Sequence, residues 1–318
     1  MIDWKKPELN DLKMIREAAF RSCCMGSDMS AVNIFLLADK YDLQIAFIGD
    51  LLVRKYKTID TNLGRNGYTF PVGCSFSDKK CIDAVLDELQ EEADRREVPL
   101  SFCLLTEEQK WYLENRYPDM EFVSYPGDSD YLYTAEHLGL LPGRANHKKK
   151  NHVSRFRREF PDFEFKVFEK HNRDQCGDAP CVCDLYRVEE AWIKERENSL
   201  EHSQVLEKQE IKTAVRLFCE LELIGAVIRV EGRPVAMSMA SEISPGVFDI
   251  HFEKSFGEYA LKGAYAAVNQ LFSKHLLEDH NAKWINREED IGLEGLRKAK
   301  ESYHPDMMLY KYSGILRK

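Results

Sequence analysis

Three ionisable side chains alternate along one predicted strand in the second half of the chain. Asp249, His251 and Glu253 occupy every second position of the segment 247–253, with aromatic or aliphatic residues between them. Because successive side chains of a strand point to opposite faces, we expect these three groups on one face, about 7 Å from one to the next. His251 or Glu253 could then act as a general base, and Asp249 could bind substrate. A solvent-exposed polar face is the alternative.

A second polar group follows the next predicted strand. Asn286, Arg287, Glu288 and Asp290 stand at the carboxyl end of the strand predicted at 282–286. Strand ends of layered α/β folds are where ligand clefts form, so we expect these catalytic candidates to converge with the first group on one enclosed hollow. Asn286 or Arg287 could stabilise negative charge developing on a carbonyl oxygen. A solvated loop is the alternative.

The helix predicted at 293–303 carries further candidates for substrate binding. Arg297 and Lys300 lie three residues apart and therefore on one face, where they could hold a phosphate or a carboxylate. An ordinary basic helix face is the alternative. Tyr303 is predicted to point inward, and Lys254 directly follows the first polar group.

One stretch is strongly basic although the whole chain has a formal net charge of −9. An acidic chain is not expected to coat nucleic acid with its whole surface. Between residues 144 and 158, however, there are seven Lys and Arg residues and no acidic one. This stretch could contact RNA phosphates, or it could be a solvated helix face. The candidate tRNA-binding residues are Arg144, Lys148, Lys149, Lys150, Arg155 and Arg158.

The sequence predicts neither a metal nor a bound cofactor. Nine cysteines in a chain without a secretory signal indicate reduced thiols. The densest group, His171 with Cys176, Cys181 and Cys183, lacks the paired C-x-x-C spacing of zinc sites. Pyrophosphate of the CoA type is held by glycine-rich turns at helix N-termini. The corresponding turns here, at 73–78 and 254–259, each contain one glycine.

The order of predicted elements repeats along the chain, whose 318 residues suffice for two domains. Two apolar runs joined by a turn, a third run, an amphipathic segment and a fourth run occur at 43–105 and again at 225–286. This order, β-β-β-α-β, is the core of the GNAT acyltransferase fold. We therefore predict an α+β (α/β layered) protein of two tandem GNAT-like lobes, residues 1–132 and 133–318, with the site in the second. Two unrelated α+β lobes are the alternative.

No membrane or export segment is predicted. The N-terminus is charged and amphipathic from the start, unlike a signal peptide. The apolar runs are far shorter than the ~20 residues that span a bilayer. We therefore expect a cytoplasmic protein without an integral membrane segment.

Several segments together resemble the phosphatidylglycerol lysyltransferase C-terminal domain family. The most specific is the block from Asn286 to Pro305, with its NREEDIG and GLRKAK runs. The other similar segments are DYLY at 130–133, KKKNHVSRF at 148–156, HFEK at 251–254, KGAY at 262–265 and KY at 311–312. The resemblance spans most of the chain from Ser30 onward.

This resemblance implies a tandem GNAT fold that accepts an aminoacyl group from aminoacyl-tRNA. It implies as acceptor a phosphatidylglycerol-type lipid headgroup, or else another small amine or hydroxyl compound. An acyl-CoA-dependent N-acyltransferase is one alternative. A non-catalytic module that binds small molecules or RNA is another, and a flat, exposed His251 face would favour it.

Overall fold

The computed structural model describes residues 1–57, 64–169, 181–196 and 202–317. Within these ranges the helices are α1 (Leu12–Arg21), α2 (Ala31–Leu36), α3 (Lys79–Arg95), α4 (Glu107–Arg116), α5 (Ala135–Leu140), α6 (His147–Glu159), α7 (Cys183–Glu195), α8 (His202–Arg216), α9 (Gly257–Leu261), α10 (Ala264–Asp279) and α11 (Glu294–Glu301). The strands are β1 (Gln44–Ile48), β2 (Leu51–Lys57), β3 (Asn66–Tyr68), β4 (Leu100–Leu105), β5 (Glu121–Ser124), β6 (Asp130–Thr134), β7 (Glu164–Phe168), β8 (Ile224–Val230), β9 (Arg233–Ser244), β10 (Val247–Ser255), β11 (Trp284–Asn286), β12 (Met307–Leu309) and β13 (Tyr312–Leu316).

Each half of the chain contains the predicted β-β-β-α-β core. In the first, β1 and β2 form an antiparallel hairpin, and β3 pairs in parallel with β4 after the α3 crossover. In the second, β8, β9 and β10 are antiparallel, and β10 pairs in parallel with β11 after α10. The predicted α+β class with two tandem GNAT-like lobes is confirmed.

The two sheets exchange strands across the predicted lobe boundary. The first sheet has the order β1-β2-β3-β4-β13-β5, and the second has the order β12-β6-β11-β10-β9-β8-β7. The C-terminal strand β13 therefore belongs to the first sheet. A cut at residue 132 falls within β6, which belongs to the second.

The lobes also share an apolar core. Val32 and Ile34 of α2, in the first lobe, belong to the same buried cluster as Met237, Met239 and Phe252 of the second. Because burial of apolar surface is the main favourable contribution to folding, this shared core fixes α2 against the second sheet.

Gly263 divides the helix that the sequence predicts at 258–279 into α9 and α10. Its φ of +103° suits glycine, and a Cβ at this position would lie 2.2 Å from the carbonyl oxygen of His152. The first turn of α10 can therefore pack directly against α6, and this contact positions the basic helix beside the second sheet.

Candidate functional site

A β-bulge at His251 divides the predicted polar face of β10. Ile250 pairs with Ala240 and Phe252 pairs with the adjacent residue of β9, Met239, so His251 is the extra residue of the bulge. The extra residue shifts the alternation of side chains by one position. The prediction that Asp249, His251 and Glu253 share one face of the strand is therefore wrong. Asp249 and His251 face the first lobe, whereas Glu253 faces α10.

His251 is the centre of a buried polar group at the boundary between the lobes. We call Asn33, Ser241, Asp249, His251 and Glu288 the interlobe cluster. The imidazole Nε2 lies 2.8 Å from Ser241 Oγ, and Nδ1 lies 3.0 Å from Asn33 Oδ1. The Asn33 amide donates to carboxylate oxygens of Asp249 at 3.0 Å and Glu288 at 2.8 Å. The cluster thus joins α2 of the first lobe to β9, β10 and the segment after β11.

The interlobe cluster continues into a network of buried ion pairs. Lys311, just before β13, lies 2.9 Å from both Asp28 and Asp130. Arg54 pairs with Asp28 at 2.7 Å, and Arg65 donates to Asp128 at 2.9 Å. Arg65 also contacts Glu289. Residues from both lobes therefore build this region, which the sequence analysis placed in the second lobe alone.

Negative charge is in excess around His251. Among the described residues, no Lys or Arg forms an ion pair with Asp249 or Glu288; His251 lies 3.4 Å and 3.8 Å from them. Burial, with the nearby charges of Glu288 and Asp130, raises the pKa of Asp249 well above its usual range. Asp249 Oδ1 is buried and has no hydrogen-bond partner. Proximity to further carboxylates disfavours ionisation, and a positive charge placed in the cluster would relieve this effect.

A second group of site residues lies on the α10 side of the sheet. Arg287 donates to Glu253 Oε1 at 2.9 Å, and Asn269 of α10 donates to Oε2 at 2.9 Å. The guanidinium lies 4.7 Å from the ring centre of Tyr303, and its Nη1 is buried without a hydrogen-bond partner. We call Glu253, Asn269, Arg287 and Tyr303 the Arg287 cluster.

The basic stretch forms the exposed side of α6 and of the turn before it. Of the candidate tRNA-binding residues, Lys149 is the half-buried one and points inward. Its Nζ lies 3.7 Å from the ring centre of Tyr303. Burial, and then the positive charge of Arg287, lower the pKa of Lys149 to about 8. The exposed members are Arg144, Lys148, Lys150, Arg155 and Arg158.

Two predicted catalytic residues, Asn286 and Asp290, use their polar atoms in hydrogen bonds to neighbouring residues. The Asn286 amide donates to Asp130 and to the Met25 carbonyl, both at 2.9 Å, and Asn286 Oδ1 accepts from the Glu288 N–H at 2.7 Å. This bond holds Glu288 at a φ of +57°, a strained conformation for a residue with a side chain. Asp290 accepts from Tyr131 at 2.7 Å. Both residues position the loop rather than offer a free group.

The predicted substrate-binding cations also have protein partners. Arg297 Nε donates to Asp290 at 2.8 Å, and the Lys300 ammonium donates to the carbonyls of Arg287 and Glu289. Lys254 is buried, with its ammonium 2.5 Å from Glu207 and 3.9 Å from the Trp192 ring centre. In this structure these three cations therefore stabilise the walls around the site.

Three cavities adjoin the interlobe region. One of about 950 Å³ lies between α2 and α8, and Lys40 and Glu210 line it. Another, of about 700 Å³, lies beside the end of β4, and it reaches Asp28 and Arg54. A third of about 30 Å³ touches Asn33, Arg65 and Glu288. The last cavity has room for a small polar group such as a water molecule or an ammonium.

The predicted absence of a metal at the cysteine group concerns residues that are only partly described. His171 and Cys176 lie outside the described residues, while Cys181 and Cys183 are in no disulfide with another described residue. Asp249, His251 and Glu288 have the residue types of a metal site. There, however, the Asn33 amide already bridges both carboxylates and contacts the imidazole.

At the turns that would hold CoA pyrophosphate, backbone N–H groups already donate hydrogen bonds to side chains. Glu195 Oε2 accepts from Gly257 N–H at 3.0 Å. In the first lobe, Ser22 Oγ accepts from Gly73 N–H at 2.7 Å. Because an anion at a helix N-terminus needs free N–H donors, these contacts disfavour a pyrophosphate at either turn.

Sequence reasoning missed the contribution of the first lobe. Asn33, Asp28 and Arg65 lie far from residue 249 in sequence and carry no motif of their own. Asp130 and Lys311 belong to the segments that carry the family resemblance, and this was the available signal that they lie at the site.

Comparisons with known proteins agree with the fold and the resemblance. The sequence matches the family described as phosphatidylglycerol lysyltransferase, C-terminal, over residues 24–314. A crystal structure of a conserved protein of unknown function from Bacteroides thetaiotaomicron is 30% identical, with a TM-score of 0.86 and 100% of both chains covered. The structure of L-PGS from Bacillus licheniformis is 14% identical, with a TM-score of 0.64, and the match covers 98% of this chain and 92% of that one. The latter likeness shows a shared fold. The comparison with curated proteins finds no match.

None of the helices in the described ranges is long and apolar enough to cross a membrane.

Proposed function

Because the chain belongs to the phosphatidylglycerol lysyltransferase C-terminal family, which supports acyl transfer in general, we propose that it is an aminoacyltransferase with aminoacyl-tRNA as donor. The acceptor is a small amine or hydroxyl compound, and a phosphatidylglycerol-type headgroup is one member of that class. The site residues are those of the interlobe cluster and the Arg287 cluster.

One observation carries this proposal: Lys149 joins the basic surface of α6 to the Arg287 cluster. The exposed members of the basic stretch and the inward Lys149 belong to the same helical segment. Lys149 contacts Tyr303, which in turn contacts Arg287. A polyanion bound along α6 through its phosphates would therefore have one end beside a buried guanidinium with an unpaired N–H. An RNA carrying a reactive ester at its terminus fits that arrangement.

The excess of carboxylates in the interlobe cluster supports an aminoacyl group in particular. An α-ammonium, or a cationic side chain such as that of lysine, would supply the positive charge that Asp249 and Glu288 lack. The cavity of about 30 Å³ beside Glu288 has room for such a group. Charge-assisted hydrogen bonds to two buried carboxylates would select for it.

The proton transfer required by the reaction can be assigned to His251. As the acceptor hydroxyl or amine attacks the ester carbonyl, it loses a proton to the base. The C–O bond to the tRNA ribose then breaks, and the ribose oxygen takes that proton back from the base to become a hydroxyl. The imidazole can receive the first proton because Asp249 and Glu288 flank it and stabilise the imidazolium. Glu253 lies on the other face of the sheet, where Arg287 and Asn269 donate to its two oxygens, so we assign it to positioning Arg287. Arg287, on the other face of the sheet, has a free Nη1 donor for the RNA end that lies beside Lys149 and Tyr303.

Binding of tRNA can be tested through its salt dependence. Lys148→Ala/Lys150→Ala should weaken tRNA binding and lower the slope of log Kd against log salt concentration by about 2, since each phosphate contact adds about 1. The matched control is Lys79→Ala/Lys80→Ala, which removes two exposed lysines from the start of α3. Equal slopes for wild type and Lys148→Ala/Lys150→Ala would contradict the proposed RNA surface.

A further inference from the structure

A group of two histidines and a carboxylate lies at the far end of α10, away from both clusters. Glu169 follows β7, the edge strand of the second sheet, and His275 and His280 are at the C-terminal end of α10. Glu169 Oε1 lies 3.5 Å from His275 Nε2 and 3.1 Å from His280 Nε2. One atom from each of the three residues can be chosen so that all lie within 4.8 Å of one another.

These separations agree with a common metal centre. Zinc binds imidazole nitrogen and carboxylate oxygen at about 2.0–2.1 Å in tetrahedral geometry, which places neighbouring donor atoms roughly 3.3 Å apart. The distances from Glu169 Oε1 to the two imidazole nitrogens, 3.5 Å and 3.1 Å, lie on either side of that value. The donor set of two imidazoles and one carboxylate leaves a fourth position for water.

The hydrogen bond on the other side of the His275 ring is an independent indication. Asp279 Oδ2 lies 2.8 Å from His275 Nδ1. With Nδ1–H donating to that carboxylate, Nε2 carries the lone pair of the neutral ring. That Nε2 is buried and has no hydrogen-bond partner. A carboxylate that orients a histidine in this way, with the opposite nitrogen unpaired, is the usual support of a metal-binding imidazole.

The surroundings of His280 also suit a fixed ligand. Its ring lies edge-on to Phe248, with 5.9 Å between the ring centres, so the ring is oriented by an apolar contact. From these contacts we propose that Glu169, His275 and His280 form a site for a divalent transition metal such as zinc, with Asp279 as the residue that orients His275. The bound ion would tie edge strand β7 to the end of α10.

Cobalt(II) absorption of the metal-free full-length protein tests this site and is independent of the proposed transfer activity. Titration with cobalt should give visible d–d bands that saturate at one equivalent, without the intense near-ultraviolet charge-transfer band of thiolate ligands. The chain contains nine cysteines, and the absence of that band distinguishes the proposed site from them.

Variants assign the ligands. His275→Gln and His280→Gln should abolish the visible bands, and Asp279→Ala should weaken cobalt binding 10–100-fold, as is typical for residues that orient a ligand. Glu278→Ala is the matched control, because this neighbouring carboxylate pairs with Lys274 instead. Far-ultraviolet circular dichroism checks that each variant folds.

The melting temperature with and without zinc gives a second measurement. Zinc should raise the midpoint of wild type and Glu278→Ala but not that of His275→Gln. The site is refuted by a thiolate band, by absence of visible bands in the wild type, or by an unchanged cobalt affinity in His275→Gln and His280→Gln.

Discussion

The Arg287 guanidinium and the Glu253 carboxylate form a buried ion pair, 2.9 Å apart, on the opposite side of the sheet from His251. The Asn269 amide donates a hydrogen bond to the other oxygen of the Glu253 carboxylate. Such a pair adds little net stability, but loss of one partner leaves an uncompensated buried charge. The pair therefore holds Arg287 in one place.

Glu253→Gln should lower the free energy of unfolding by about 3 kcal/mol, because the Arg287 charge loses its partner. Urea denaturation measures this loss. The double variant Glu253→Gln/Arg287→Met should recover most of it. The exposed control Glu301→Gln should change stability by less than about 0.5 kcal/mol. A Glu253→Gln protein as stable as wild type would show that the pair is not buried as described.

Asp249→Asn should stabilise the protein at high pH and not at low pH. Burial and the charges of Glu288 and Asp130 raise the pKa of Asp249 in the folded state. The folded protein therefore keeps this proton to a higher pH than the unfolded chain does, and stability is lost as the pH rises above the ordinary carboxyl range. Asparagine removes that loss.

Thermal unfolding at about pH 8 and about pH 4 checks the effect of Asp249→Asn, because the ordinary carboxyl pKa lies near the lower value. The melting temperature of the variant should exceed that of wild type at the higher pH, and the gain should shrink at the lower. A variant less stable than wild type at the higher pH would contradict the excess of negative charge around His251.

Lys149 should react with acetic anhydride with a midpoint at about pH 8, since burial and Arg287 lower its pKa to that value. Peptide mass spectrometry after brief labelling measures the midpoint. Arg287→Met should move it to higher pH, because the neighbouring positive charge is gone. A midpoint that does not respond to Arg287→Met would mean that Lys149 does not approach the cluster.

Gly263→Ala should destabilise the fold by at least about 1–2 kcal/mol, the typical penalty for a side chain in the left-handed region. The new Cβ would also meet the His152 carbonyl oxygen. Gly295→Ala in α11 is the control, since nothing lies within 4 Å of its Cβ position. That change should be neutral or slightly stabilising. Chemical denaturation compares the two, and equal stabilities would exclude the close packing of α6 on α10.

The periodicity of apolar residues predicted most of the fold, because hairpins, crossovers and amphipathic helices leave local patterns. The strand exchange left no such pattern. The place of β13 in the first sheet depends on pairing with β4 and β5, which lie about 200 residues away. Pairing between distant strands cannot be read from local alternation.

Local patterns in the sequence also predicted part of the site. Asp249, His251, Glu253 and the segment after β11 were identified by residue type and strand position. Their separation onto two faces depends on the bulge at His251, which a regular alternation cannot show. Asn33 was missed because its role arises from packing of α2 against the second lobe.

Loss of aminoacyl-tRNA in the presence of the protein is the most direct measurement of the proposed reaction. Total tRNA charged with each amino acid in turn is incubated with the full-length protein and an extract of cellular lipids and small molecules as acceptors. We predict that at least one aminoacyl-tRNA is discharged faster than in the protein-free blank, and that His251→Gln, folded by circular dichroism, loses this activity. Discharge at the blank rate for every amino acid would contradict the account.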